Sequence, residues 1–195
     1  MGITNLVVTM KAKVIYIAGV PASGKTTLFK RIRERFFSCS SEFKSGKARG
    51  IQSECGRFKM LGVFDGSTFE GTDRLSMTVI GDAIDYIKGL DKRCVVFVEG
   101  DRLFNFRFLQ ETKASVILID ASPEVLERRH RERGDNQTPT FLQSRRTKVE
   151  NFARKYGLRR AYNNTPEDGE ILLKFIIKIA EQWVGEHLTG TQQRT

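Results

Sequence analysis

Eight consecutive residues, Gly19-Val20-Pro21-Ala22-Ser23-Gly24-Lys25-Thr26, follow the pattern G-x-x-x-x-G-K-[ST]. The glycines let successive backbone N–H groups turn inward around a phosphate, and a helix starting just beyond them adds positive potential. Lys25 is spaced to reach β- and γ-phosphates, and Thr26 to offer a hydroxyl to Mg²⁺. The segment therefore predicts a nucleotide-binding P-loop for ATP and Mg²⁺, built from Gly19, Pro21, Ala22, Ser23, Gly24, Lys25, Thr26 and the adjoining Thr27. The bland alternative is a chance match. The strand-like run before the motif and the helical run after it argue against that.

Phosphoryl transfer needs positioning and charge neutralisation more than covalent chemistry. Glu99 closes an apolar run, where a carboxylate can order a Mg²⁺ shell, and Asp101 and Arg102 follow at once. The competing reading makes Glu99-Gly100-Asp101 a polar turn after a strand. An acceptor hydroxyl must lose a proton, so a carboxylate should lie near it. Asp65, at the end of a second apolar run, is one candidate, and Asp73, beside Arg74, is another. Thr72 could equally cap a helix, with Asp73 as an ordinary first-turn acid.

A basic cluster, Arg128, Arg129, Arg131, Arg133, Arg145, Arg146 and Lys148, brackets the break Gly134-Asp135-Asn136-Gln137-Thr138-Pro139-Thr140. Two solvated helix faces explain most of these cations. A lid with its tip at about 134–140, bringing Arg129 and Arg133 onto the transferring phosphate, explains the break as well. Asn163 and Asn164 precede Thr165-Pro166 and are either a plain turn ahead of a helix or, by resemblance to P-loop nucleotide kinases, a loop edging adenine.

These groups must be held by elements, and the hydropathy pattern alternates buried-strand runs with amphipathic helices. Strands are expected at 14–18, 58–64, 94–99, 115–120 and 160–162. Helices are expected at 25–36, 76–89, 123–133, 141–156 and 167–187, with Ser122 as N-cap and Pro123 at the first position of the third. Such alternation implies an α/β sandwich of three layers, about five parallel strands covered by helices, with ligands at the strands' carboxyl ends. Residues 38–56 fit no element well, and 1–9 read as a possible extension.

At 195 residues the chain fits one domain. Hydrophobic residues at 39% and charged ones at 29% predict a folded chain. No apolar run approaches membrane-span length, and the start lacks a signal-peptide pattern, so the expected compartment is the cytoplasm. Cys39, Cys55 and Cys94 are too scattered for a zinc site or disulfide framework. Lys and Arg number 33 against 23 Asp and Glu, a net charge of +10. Residues 1–60 carry twelve basic and three acidic side chains, and 123–160 carry eleven and five, so the excess sits in two blocks. Such a field favours a polyanion, although solubility explains part of it. Phe36, Phe37, Phe43 and Phe58 are interspersed in the first block, a combination that can track a nucleic-acid strand and stack an unpaired base.

The N-K-x-D string with which Ras-type GTPases read guanine is absent, and the lone Glu99 after Val98 departs from the Asp-Glu pair usual in motor ATPases. What remains resembles the nucleoside/nucleotide-kinase group of P-loop folds, in the phrase Gly-x-Pro-x-Ser-Gly-Lys-Thr and in the Arg-rich helical pair broken near Gly134. In layout the likeness runs over about residues 13–183. Phe69-Glu70-Gly71-Thr72-Asp73-Arg74-Leu75-Ser76 and Val98-Glu99-Gly100-Asp101-Arg102 are further similar to phage-encoded kinases that phosphorylate 5-hydroxymethyluracil in DNA. That resemblance implies ATP-dependent phosphorylation of a flipped base, with DNA held by basic residues at about 30–59 and 128–160, in a host cytoplasm. The alternatives are a nucleoside, nucleotide or 5′-polynucleotide kinase and, from another class, a nucleic-acid-binding P-loop module with little turnover.

Overall fold

The computed structural model describes residues 12–67, 70–134 and 137–189. β1 (Lys13–Gly19) is an apolar run flanked on both sides by other strands, and the phosphate-binding motif joins it to α1 (Lys25–Phe36). A hairpin follows, β2 (Ser40–Ser45) and β3 (Ala48–Ser53), and then β4 (Phe58–Leu61). A one-turn 3₁₀ helix (Thr72–Arg74) leads to α2 (Ile80–Lys88), β5 (Val95–Glu99) and α3 (Phe106–Thr112). Next come β6 (Ser115–Asp120), α4 (Pro123–Glu132), α5 (Pro139–Tyr156), β7 (Arg160–Tyr162) and α6 (Pro166–Thr189).

The sheet order is β2-β3-β4-β5-β1-β6-β7. Strands β4, β5, β1, β6 and β7 run parallel, as the alternating pattern implies, while β2 and β3 add an antiparallel edge. Side chains alternate across the sheet. Ile15 and Ile17 of β1 pack with Leu28, Phe29 and Ile32 of α1 and Leu172 and Ile176 of α6. Val14, Tyr16 and Ala18 face the opposite layer, which holds Ile84 and Ile87 of α2, Phe108 of α3 and Phe152 of α5. The fold is thus an α/β three-layer sandwich.

Four local expectations are corrected. Residues 38–56, given no element, form the β2–β3 hairpin. The strand expected at 58–64 stops at Leu61, and Val63 then bridges to Gly71 instead of continuing the ladder. The helix expected from 76 starts at Ile80, because the 3₁₀ turn and a tight turn from Ser76 to Val79 take up the preceding chain. Helix α3 was not foreseen; the Asn105 side chain caps it by accepting from the Phe108 N–H at 2.9 Å. Of the expected lid tip, Gly134 follows the Arg133 cap of α4, and Pro139 and Thr140 belong to the first turn of α5. Positions 135–136 and the possible extension at 1–9 lie outside the described residues.

Candidate active site

The motif turns between β1 and α1 at the carboxyl edge of the parallel strands. At Gly24 φ is +93°, and a Cβ would lie 2.3 Å from the Asn163 amide nitrogen. At Gly19 a Cβ would lie 2.0 Å from the Ile119 carbonyl oxygen, so both positions need glycine. Ala22 also has a positive φ of 62°, a conformation that costs an L-residue about 1 kcal/mol. The turn is held against that cost by the Asn163 amide, which donates to the Ser23 carbonyl at 2.8 Å, and by Arg129, which donates to the Ala22 carbonyl at 3.3 Å. The first turn of α1 contains no acidic residue, so its N–H groups face an incoming anion unopposed. Thr26 and Thr27 are exposed there, and the Lys25 ammonium bonds the Val20 carbonyl at 2.7 Å. Burial lowers the Lys25 pKa, with Glu99 opposing the shift.

Glu99 ends β5, which pairs directly with β1, so no strand separates the acid from the loop. Its side chain is 6% exposed, and burial, with Asp73 and Asp101 adding repulsion and Lys25 opposing, pushes its pKa up to about 7. It shares a narrow cavity with Thr26, Phe29, Phe64, Glu70 and Gly71. Thr72, fully buried, donates its hydroxyl to the Glu99 carbonyl. Glu70 is engaged by Arg33, which leaves Thr26 and Glu99 as the lining residues with hard oxygen donors that suit Mg²⁺, whose remaining ligands are usually phosphates and water. Among the described residues no group of three or more His, Cys, Asp or Glu could hold a metal ion on its own. A protein-only metal centre is therefore not assembled there.

The other predicted acids are each engaged. Asp73 reaches across to the β5 turn, its Oδ1 accepting from the Asp101 N–H at 2.9 Å and the Arg102 N–H at 3.0 Å, while the Arg102 guanidinium returns to the Asp73 carbonyl. Asp73 thus braces the turn that presents Glu99 and is more than a first-turn helix acid. Asp101 is gripped from α5 by Arg145 at 2.8 Å and Lys148 at 3.6 Å. Asp65 lies on an exposed turn, bonded through both carboxylate oxygens to Arg74 at 2.6 Å, which holds its pKa far below the carboxylate range.

Across the loop, a cleft of about 470 Å³ is lined by Gly24, Thr27, Arg129, Arg133, Asn163 and Asn164, among others. Arg129 and Arg133 thus line the same cleft as Gly24 of the phosphate loop. The Asn163 and Asn164 side chains, however, are engaged within the fold. Asn163 holds Ser23, and Asn164 accepts from the Ser122 N–H at 2.7 Å, so the pair shapes the cleft by fixing the β7–α6 loop. Thr72, read as a helix cap, holds the Glu99 carbonyl instead; Arg145 and Lys148, read as part of the basic cluster, hold Asp101; and Phe64, given no role, lines the Glu99 cavity. No spacing rule marks them, because each arrives by long-range packing.

The chain matches the family model AAA_18, described as an AAA domain, over residues 15–170. No curated protein matches it significantly. The matched span runs from β1 into the start of α6 and so takes in the loop, the acid-bearing strand and the helical pair. With four-fifths of its length covered, the chain belongs to the AAA_18 family, a family of P-loop NTPase- and kinase-like domains.

Proposed function

We propose that the protein is an ATP-dependent phosphotransferase that delivers the γ-phosphate to an alcohol, and that the alcohol is the hydroxymethyl group of 5-hydroxymethyluracil in DNA. The observation that carries the kinase reading is the apposition of Lys25 and Thr26, at the mouth of α1, with the buried Glu99 on the neighbouring strand. Lys25 and the α1 N-terminus hold the phosphates, and Arg129 and Arg133 line the opposite wall. When bound, Mg²⁺ supplies charge neutralisation between the phosphates, with Thr26 and Glu99 as the residues that would hold it. The acceptor oxygen forms a bond to the γ-phosphorus, the bond from that phosphorus to the bridging oxygen breaks, and ADP leaves. Glu99, buried in the cavity beside Thr26, is the carboxylate placed to take the hydroxyl proton. Asp65, held acidic by Arg74, positions that arginine, and Asp73 and Asp101 fix the β5 turn.

The DNA acceptor is supported by the two basic blocks and by the likeness of residues 69–76 and 98–102 to the hydroxymethyluracil kinases. One observation favours a free nucleoside or nucleotide instead. Arg31, Arg33, Arg35, Arg145 and Arg160 are paired with Glu170, Glu70, Glu181, Asp101 and Asp120, so part of the basic charge is spent inside the fold. Transfer from [γ-³²P]ATP, assayed on hydroxymethyluracil-containing DNA, ordinary DNA and free nucleosides in parallel, separates these acceptors. Lys25→Ala should abolish every transfer while leaving the melting transition in place. A folded Lys25→Ala protein with near-normal turnover would reject the kinase reading.

A further inference from the structure

Two openings reach the start of α1 from opposite sides. One is the cleft at Gly24, Thr27 and Arg129; the other is the narrow cavity that joins Thr26 to Glu99. Phe64 forms a wall of that narrow cavity. The same ring also lines a second groove, of about 300 Å³, between the β2–β3 hairpin and the turn at 62–65. The groove is lined by Glu42, Lys44, Arg49, Ile51, Phe64 and Asp65, with the backbone of Gly50 and Gly62 in its floor.

The sheet register fixes which end of the hairpin this is. Lys44 stands directly opposite Arg49, and Gly50 opposite Leu61 at the end of β4. The cation pair therefore lies at the carboxyl edge of the parallel strands, the edge that carries the phosphate loop and Glu99. Lys44 and Arg49 are exposed, and neither forms an ion pair among the described residues, whereas Arg31, Arg33 and Arg35 on α1 are all paired. Of the two acids in the groove, Asp65 is neutralised by Arg74 and Glu42 alone offsets the cations. The Phe64 ring is braced by Phe29 at 6.2 Å and by the Arg33 guanidinium at 5.6 Å, and Glu70 fixes that guanidinium. A braced aromatic ring between a phosphoryl-transfer cavity and two free cations is a stacking platform with an electrostatic track beside it.

We propose that this groove docks the acceptor strand. Lys44 and Arg49 take the phosphates that flank the acceptor nucleotide, and its extruded base lies against Phe64 with the hydroxyl pointing to Glu99. The inference rests on the reading that the acceptor is DNA, and it adds where the strand lies and which residues hold it. About 300 Å³ is the lower end of the range for small-ligand sites, room for roughly one nucleotide unit, so the rest of the strand runs along the exposed hairpin.

Binding of a fluorescein-labelled single-stranded oligonucleotide containing hydroxymethyluracil, followed by anisotropy across a salt series, tests this without turnover. The double variant Lys44→Ala, Arg49→Ala should weaken binding and flatten the log Kd against log salt slope by about 1.4, the loss of two phosphate contacts on a single strand. Phe64→Leu should weaken binding by about tenfold with the slope unchanged, and Phe64→Tyr should restore it. Arg107→Ala, on α3 away from the groove, should change neither. Parent-like affinity and slope in the double variant, with a normal melting curve, would overturn the proposal, and so would a free nucleotide that binds as tightly as the oligonucleotide. The transfer assay keeps the two readings apart. Groove-dependent DNA binding with no phosphorylation of any acceptor would reject the kinase function and leave the groove standing. Normal phosphorylation of DNA by the double variant would reject the groove and leave the function.

Discussion

Glu99 and its neighbours form one electrostatic unit in which burial and charge pull in opposite directions. Burial and the acids Asp73 and Asp101 raise the Glu99 pKa, and Lys25 holds it down, leaving it at about 7. The folded chain therefore binds more protons than the unfolded one between about 4.5 and about 7, so stability falls as pH rises through that window. Glu99→Gln cannot ionise. In melting curves taken without metal, the variant should lack this part of the decline and gain on the parent from pH 5 to pH 8. If the difference between the two proteins stays constant with pH, Glu99 does not titrate there. With Mg²⁺ present the ion would keep Glu99 ionised, so Glu99→Gln should lose about a hundredfold in kcat/KM at every pH from 6 to 8. Asp73 calls for a different comparison. Its Oδ1 accepts two backbone N–H bonds, which an asparagine oxygen can also accept and an alanine cannot. Asp73→Asn should keep most activity, whereas Asp73→Ala should lose about 1.5–3 kcal/mol of stability along with activity. Equal loss in both variants would return Asp73 to the role of proton acceptor.

The phosphate loop is shaped by an element distant in the chain. The β7–α6 loop is anchored to the sheet by the Asn163 N–H on the Asp120 carbonyl at 2.9 Å, and it then offers the Asn163 amide to the Ser23 carbonyl. The Ser23 carbonyl is thereby occupied by a fixed donor. Asn163→Ala should weaken ATP binding by about tenfold, read by titration calorimetry, and lower stability by about 1 kcal/mol. Unchanged ATP affinity would show that the loop holds its form unaided. This dependence on distant packing explains what was legible in the sequence. The loop motif, α1 and the Ser122–Pro123 start of α4 are written in neighbouring residues, so local reading finds them. Thr138–Pro139 is the same start signal for α5, but the polar break around it masks it. SSEFKS is polar because β2 is the exposed edge strand, and ARGIQS, although β3 is mostly buried between β2 and β4, fills its buried positions with Ala, Gly and Ser beside a single Ile, so neither carries a strand's apolar signature. Asp73 meets Asp101 and Arg102 only through the β4–β5 packing, and no spacing reveals that.

Across the whole molecule, charge and topology divide the work on either side of α1. The cleft at Gly24 lies toward β6, β7 and the helical pair, and the hairpin edge, whose Lys44 and Arg49 form no ion pair among the described residues, lies toward β4. Arginines of the two basic blocks pair with acids from outside those blocks, so the field over each block is weaker than its own charge count implies. The chemistry of the acceptor must then carry the selectivity. Thymine bears a methyl group at C5 and offers no nucleophile, whereas 5-hydroxymethyluracil bears a primary hydroxyl at that position. A site that accepts a proton through Glu99 has nothing to activate in ordinary DNA, however well the hairpin holds the strand. The expected result is phosphate incorporation into hydroxymethyluracil-containing DNA, essentially none into thymine-containing DNA of the same sequence, and slow reaction of the free nucleoside, which lacks the flanking phosphates. Label at the 5′ end of any DNA would instead identify a polynucleotide kinase. Efficient phosphorylation of the free nucleotide with none in DNA would move the acceptor to the small-molecule class, in keeping with the internally paired arginines.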